Sequence, residues 1–464
     1  MNFILWGLLA YLAAQVAIAF AVSRFIRTEA DYLVAGRRLG IGLASFSIFA
    51  TWFGAETVIG SAGLIYENGL AGGSGDPFGY ALCILILGAF FARKLWLRKY
   101  TTFGDFFRER YSPGVERLAA ILIIPPSIIW AAAQVRAFGQ IVSLASGIDV
   151  ETAITLAAVF VIFYTVLGGL LADAWTDLIQ GGVLILGLLL LGGALLLDGS
   201  LPAALAANDA ARLSMTGGGE IPWYVVAEDW AIPVFGSLLA VELISRLLAA
   251  RSAEVAQRAC FVGGGMFLLV GLIPALIGLG GPWLVPGLED PEQLIPALAQ
   301  SRFGDVLFVI FAGALISAIL STVDSALLAA GAILSHNIVV PLRQGISERG
   351  KLLSARAAVF AFGVLAWLFA IHGGSIYELV QTASAFGSAG IFVVGAVGLF
   401  SRIGGPLAAY AAMLVGAGLW AAGELLELWP APYIVSIIAA MASYVAVAWL
   451  ESARTSRVAA AEGV

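Results

Sequence analysis

The stretch Ile316-Ser-Ala-Ile-Leu-Ser-Thr-Val-Asp-Ser325 sets hydroxyls and a carboxylate inside an otherwise apolar segment. On a helix, Ala318, Ser321, Thr322 and Ser325 are three, four and seven positions apart, so they share one face. Oxygens grouped in that way suit a small hard cation. Serine and threonine in apolar helices also bond their own i−4 carbonyls or join helices, so the stripe alone admits either role. A second set of polar and aromatic residues is spread over three other apolar segments: Trp52, Glu56 and Thr57 in one, Trp130, Gln134 and Arg136 in another, Ser237 in the third. Arg136 is the basic residue expected deep in the apolar zone. A charge there is costly unless paired or hydrated, which leaves two roles open: binding a solute carboxylate, or balancing Glu56.

The elements that hold these residues follow from composition. Of 464 residues 61% are hydrophobic and 12% charged, and the mean hydropathy of +0.98 excludes an ordinary soluble domain. Thirteen stretches are long and apolar enough to span a membrane: 3–24, 40–66, 76–97, 116–146, 151–170, 175–197, 228–250, 260–281, 303–340, 354–373, 376–400, 404–423 and 430–450. The first is expected to be a retained span and not a signal peptide, because no basic residue precedes it and Ser23-Arg-Phe-Ile-Arg27 follows in place of a small-residue cleavage site.

Loops rich in Lys and Arg stay on the cytoplasmic side. With the N-terminus outside, loops 24–38, 93–117, 246–258 and 343–356, Arg402, Arg454 and Arg457 all fall inside; of the 24 basic residues only Arg136, Arg212 and Arg302 do not. An odd number of spans then puts the C-terminus in the cytoplasm. The net charge of −6 is spread over outer loops and short connections and gives no sign of nucleic-acid binding. Cys83 and Cys260 read as small apolar packing residues.

No hydrophilic stretch is long enough for a separate soluble domain, so residues 1–464 form one membrane domain. Segment 98–115 reads as a short amphipathic helix at the interface, a solvated connector or a contact with membrane lipid. Several spans carry breakers: Gly54 and Gly60 flank Glu56 in the second, the fourth begins with Pro125-Pro126, and the seventh contains Pro233 and Gly236. Broken helices are tolerated where the freed backbone lines a cavity or binds an ion. A five-span repeat starting at span 2 restarts at span 7, so 40–197 and 228–400 are the expected inverted repeats.

Four segments, Asp31-Tyr-Leu-Val-Ala-Gly-Arg-Arg-Leu39, Gly168-Gly-Leu-Leu-Ala-Asp-Ala-Trp-Thr-Asp-Leu-Ile-Gln180, Gln257-Arg258 and Ala318-Ile-Leu-Ser-Thr-Val-Asp-Ser325, resemble the sodium/solute symporter family in content and order, over about residues 30–400. The resemblance implies an all-α membrane protein of the LeuT-like fold, with five-plus-five inverted repeats, one extra helix before them and two after. It implies a sodium site made of the Ala50, Phe53 and Ala318 carbonyls with the Ser321 and Thr322 hydroxyls. Asp177 matches an acidic position tied in some relatives to a second cation or a proton; a helix cap at the start of span 6 is its other reading. Sodium is then the coupling ion, with no organic cofactor.

The expected partner is a small organic solute of the amino-acid, monocarboxylate, sugar or vitamin class, held between Trp52, Glu56, Thr57, Trp130, Gln134, Arg136 and Ser237. Ala55-Glu-Thr-Val-Ile-Gly60 is similar to the sugar-transporting branch, whereas Pro233-Val-Phe-Gly-Ser237 departs from it. A proton-coupled or facilitative carrier using Glu56 or Asp177, and a solute sensor acting through a partner, are the alternatives. The sequence lacks H-E-x-x-H, Walker and G-x-S-x-G motifs and has 2 histidines, which argues against an enzyme. The location expected is the cytoplasmic membrane, and the sequence leaves the oligomeric state open.

Overall fold

The computed structural model describes residues 35–462 except 169 and 344, with isolated positions between 6 and 20; the side chains of 144–145, 168–177, 179–180 and 454–462 lie outside the description. The expected first span, 3–24, lies largely outside the described residues, and so does its orientation. Among the described residues, nine helices are long and apolar enough to cross a membrane, or up to twelve when each of three bent pairs counts as one span. Those twelve match expected spans 2 to 13 in order, which is compatible with thirteen in all.

The first bent pair is α1, Ile41–Trp52, and α2, Glu56–Asn68, which meet at 55°. After them come α3 (Gly75–Leu97), the short α4 (Gly104–Arg110), α5 (Pro113–Ser146), α6 (Val150–Gly168) and α7 (Leu170–Leu197). The seventh span is also interrupted. Its first part α8, Trp223–Ala231, runs into a π-helical turn over Ile232–Gly236, and its second part α9, Val241–Ala249, restarts after an extended Ala240. Then follow α10 (Ala253–Leu284), α11 (Asp305–Ala332) with a π-helical turn over Ile333–Val339, and α12 (Glu348–His372). The last elements are α13 (Ile376–Ala385) and α14 (Ser388–Phe400), bent by 41°, α15 (Pro406–Leu425) and α16 (Pro432–Glu462).

Breaks therefore fall in spans 2 and 7, where the sequence placed them. Two further bends were not foreseen: 74° between Gly181–Leu197 and the short helix Ser200–Ala206, and 41° at Phe386-Gly387, where Gly387 adopts a left-handed φ of 67°. The fourth span differs from expectation. Helix α5 continues through Pro125 and Pro126, starting at Ser112, whose hydroxyl accepts the Val115 N–H, and stopping at left-handed Gly147. The prolines remove the donors that the Ile121 and Leu122 carbonyls would otherwise receive and crowd those carbonyls, and a helix buried over most of its length carries them without a break.

Small residues decide how closely the helices approach. Along α10, a Cβ on Gly263 would sit 3.0 Å from the Ser45 carbonyl, one on Gly271 2.5 Å from Pro77 Cβ, and one on Gly278 2.6 Å from the Ala62 carbonyl. These glycines recur every seven or eight residues, so one face of α10 lies flat against α1, α2 and the start of α3.

On the side carrying most basic loops, a polar cluster joins three elements. Buried Asn337 donates to Glu116 Oε1 at 2.7 Å and Asp105 Oδ1 at 3.2 Å, and accepts the Thr102 hydroxyl at 2.6 Å. Arg108 Nε donates to the other Glu116 oxygen at 2.7 Å. Burial pushes the Asp105 carboxyl up, but the hydrogen bond and charge of His336 and the Thr102 and Thr101 N–H groups outweigh it and hold Asp105 below the usual carboxylate range. Asn337→Ala leaves Thr102, Asp105 and Glu116 each short of a partner. Its expected cost is about 1–3 kcal/mol, seen as earlier thermal unfolding in detergent; an unchanged transition would mean that the cluster does not hold α4 to the end of the ninth span.

Candidate ion and solute site

The break in the second span begins with lost hydrogen bonds. The Gly54 N–H turns back to the Trp52 carbonyl at 2.9 Å, and the Ala55 N–H donates to Gln134 Oε1 at 3.1 Å. The carbonyls of Ala50 and Thr51 thereby lose the donors a continuous helix would give them. The Ala50 carbonyl instead faces α11, where it accepts Ser321 Oγ at 3.3 Å and Thr322 Oγ1 at 3.5 Å. Thr322 Oγ1 is also 3.1 Å from the Ala318 carbonyl. Four of the five expected sodium ligands thus converge. Phe53, the fifth, ends α1 with ψ of 73°, outside the helical range.

A hard cation of calcium's size, which is close to sodium's, holds oxygens at about 2.3–2.6 Å, so two ligands at a right angle lie roughly 3.3–3.7 Å apart. The observed separations are of that order, and the donor set of neutral oxygens fits sodium. Gly54 closes this cradle: a Cβ there would meet Gln134 Oε1 at 2.8 Å and Thr322 Oγ1 at 2.9 Å. Farther along the stripe, Ser325 Oγ returns to the Ser321 carbonyl at 2.7 Å and accepts a hydrogen bond from buried Arg246. Asp177 lies within α7, but its side chain is outside the described residues.

On the other side of the break, three rings cluster. Trp52 and Trp130 are near-parallel with centroids 6.0 Å apart, and Tyr80 sets its edge to both at 5.5 and 6.1 Å. Beside them are two buried carboxyl groups. Glu56 accepts Gln134 Nε2 at 3.2 Å, and Asp76 accepts the Thr57 hydroxyl at 2.7 Å. Trp52 Nε1, Trp130 Nε1, Glu56 Oε1 and Asp76 Oδ1 are buried and have no hydrogen-bond partner among the described residues. The Tyr80 hydroxyl bonds Ser384 at 3.1 Å, and Ser237 donates to Ser384 at 3.4 Å, linking α3, the seventh-span break and α13. A cavity opens next to Trp130, lined by Ser127, Ser237, Glu242 and Ser384 among apolar side chains. Glu242 accepts the Ser127 hydroxyl and is the charged side chain on that lining.

Trp52, Glu56, Thr57, Trp130, Gln134 and Ser237 therefore come together around the two breaks. Arg136 does not join them. It donates to the Ala370 carbonyl at 3.0 Å, near the end of α12, and the acid within its electrostatic reach is Glu292. Glu56 has Gln134 as its partner. Sequence reasoning passed over Tyr80, Asp76, Ser127, Glu242 and Ser384. Glu242 carried a usable signal, since an acid inside an apolar span marks a candidate site.

A model of the sodium:solute symporter family matches residues 32–416. The chain belongs to this family. The match bears out the resemblance carried by the segments at 31–39, 168–180, 257–258 and 318–325. Among its relatives, this symporter-family chain is 29% identical to high-affinity choline transporter 1 of Caenorhabditis elegans over 75% of its own length and 63% of that protein's. It is 26% identical to the high-affinity proline transporter PutP of Bacillus subtilis, covering 84% and 86% of the two chains. The chain thus spans less than two thirds of the length of the choline transporter. Its fold is that of a Na+-coupled sialic acid symporter solved in a substrate-bound outward-open state, with a TM-score of 0.84, 18% identity and 97% and 98% of the two chains covered.

Ser321→Ala and Thr322→Ala are each expected to raise the sodium concentration for half-maximal solute binding by roughly tenfold, and more in combination, since a hydrogen-bonding ligand to a charge contributes about 1.5–3 kcal/mol. Gly54→Ala, which crowds two ligands at once, is expected to abolish the sodium response. Unchanged sodium titrations in the double variant would make the stripe a helix-joining device and no more.

Proposed function

We propose that this chain couples the inward movement of a small organic cation, of the quaternary-ammonium type, to that of sodium by alternating access. The ring cluster of Trp52, Tyr80 and Trp130 beside buried Glu56 and Asp76 is the observation that carries the solute class. Ring faces attract a cation through their quadrupole, most strongly when water is excluded. The carboxylates balance its charge. Glu242 supplies a further negative group on the cavity lining, while Arg136, the group that would have favoured a carboxylate solute, is spent on Ala370. The choline transporters among the relatives support the same class.

Sodium at the junction of α1 and α11 would hold the broken helix in the solute-ready geometry, and its loss to the cytoplasm would release that constraint. Coupling needs only that ion and solute favour the same state. One sodium with one cationic solute moves two charges inward, about 4.6 kcal/mol per 100 mV of membrane potential. The protein sits in the cytoplasmic membrane, N-terminus outside and C-terminus inside; the repeats are 40–197 and 228–400. Single cysteines placed in 343–356 should then react with an impermeant reagent only from the cytoplasmic side, and labelling from outside in intact cells would reverse the topology.

The deciding experiment is uptake by proteoliposomes of choline, proline, a monocarboxylate and a sugar, with and without a sodium gradient. Choline uptake that needs the gradient and carries current is expected, with Trp52→Ala and Trp130→Ala each lowering apparent affinity about tenfold or more. Sodium-driven uptake of proline or the monocarboxylate in its place would overturn the cation reading but keep the coupling. Choline uptake indifferent to sodium would do the reverse.

A further inference from the structure

A cleft of about 550 Å³ opens on the face that carries most basic loops, lined by Arg98, Tyr100, Phe106, Glu109, Arg110 and Arg402 together with residues 398–401. Three of these side chains are cationic and one is acidic. Arg110 is fixed in place: its guanidinium donates to the carbonyls of Ser401, Ile403 and Gly404 at 3.0–3.3 Å and lies 4.5 Å over the Tyr111 ring. Arg98 pairs with Glu109 at 2.5 Å, both side chains about half exposed. An ion pair that open to solvent is weak and readily exchanged for a stronger anion. Arg402 is exposed at the end of α14. Lys94 and Lys99 add positive charge at the rim, over the rings of Phe400 and Trp96 at 4.0 and 3.2 Å.

The cleft also borders an apolar strip. Leu97 immediately precedes Arg98, and Phe400 and Ile403 flank Arg402; all three are exposed large hydrophobics, and Phe90 continues the strip along α3. Guanidinium groups pair phosphate oxygens in a planar fork, and basic pockets between helices at the cytoplasmic interface suit anionic lipid headgroups. We propose that this cleft binds the phosphodiester of an anionic phospholipid of the inner leaflet, with Arg98 and Arg402 pairing the headgroup, the positive charge of carbonyl-bound Arg110 behind them, and the acyl chains along Leu97, Phe400 and Phe90. Free phosphate shares the headgroup chemistry but has nothing to place on the apolar strip.

The test is native mass spectrometry of the detergent-purified full chain titrated with phosphatidylglycerol, with phosphatidylcholine as the neutral control. The parent should retain phosphatidylglycerol in preference. The Arg98→Gln/Arg402→Gln double variant should retain it about tenfold less, and Glu109→Gln, which removes the competing acid, should retain it more. Equal retention by the parent and the double variant overturns the proposal. Should the double variant fail to fold, Glu109→Gln decides alone, and no gain there is equally fatal. Millimolar inorganic phosphate should not displace the lipid; if it does, and phosphatidylcholine is retained as well as phosphatidylglycerol, the site takes the free anion and the lipid assignment falls.

Discussion

The hydrogen bond from the Ala55 N–H to Gln134 Oε1 is the contact on which the centre of the molecule depends. Inside a membrane every backbone group must find a partner within the protein, so a helix can be interrupted only where side chains replace its ladder. Gln134 does so at one end and holds Glu56 at the other, through Nε2. One buried amide thereby fixes both the gap in the helix and the carboxylate that follows it. The Ala50 carbonyl turned toward α11 and the Trp52 ring turned toward α3 and α5 are both consequences of that gap.

Those two groups stand two residues apart on the last turn of α1, on opposite sides of it. Any adjustment of the turn that improves the oxygens facing Ser321 and Thr322 also moves the Trp52 ring against Trp130 and Tyr80. The oxygens facing α11 and the ring cluster are therefore mechanically joined, and whatever coupling free energy a ligand on one side contributes to the other is returned in equal measure. Thr57 and Asp76 extend this unit across the gap, because their 2.7 Å bond ties α2 to the start of α3.

The spans, their order and the two breaks were legible because they rest on local properties: apolar length, and Gly and Pro where a helix cannot stay whole. Ser321 and Thr322 were legible because helical periodicity puts them on one face, and because the surrounding motif resembles a known family. Tyr80 and Ser384 were not, since a lone tyrosine or serine in an apolar span has an ordinary packing explanation and only the fold brings them together with Ser237. Asp76 was overlooked because it lies at the edge of its span, where an acid reads as a boundary residue. Arg136 was misleading for the opposite reason. Its cost in the membrane is real, but a carbonyl near the end of α12 meets it, and sequence carries no record of which helix end packs beside it. The bend at Gly387 escaped because a single glycine among alanines and serines has no helix-breaking signature.

The ninth span links two places already described, the hydroxyls of Ser321 and Thr322 and the amide of Asn337. Fifteen residues separate Thr322 from Asn337, roughly 22 Å of helix at 1.5 Å per residue. Treated as a lever pivoted at the hydroxyls, a tilt of only about 5° sweeps its far end through roughly 2 Å. The bonds that Asn337 makes to Thr102, Asp105 and Glu116, at 2.6–3.2 Å, do not survive such a sweep. Asn337 thus limits how far the rod can rock while α4 and α5 stay in place, because a tilt of that size would cost it hydrogen bonds to both.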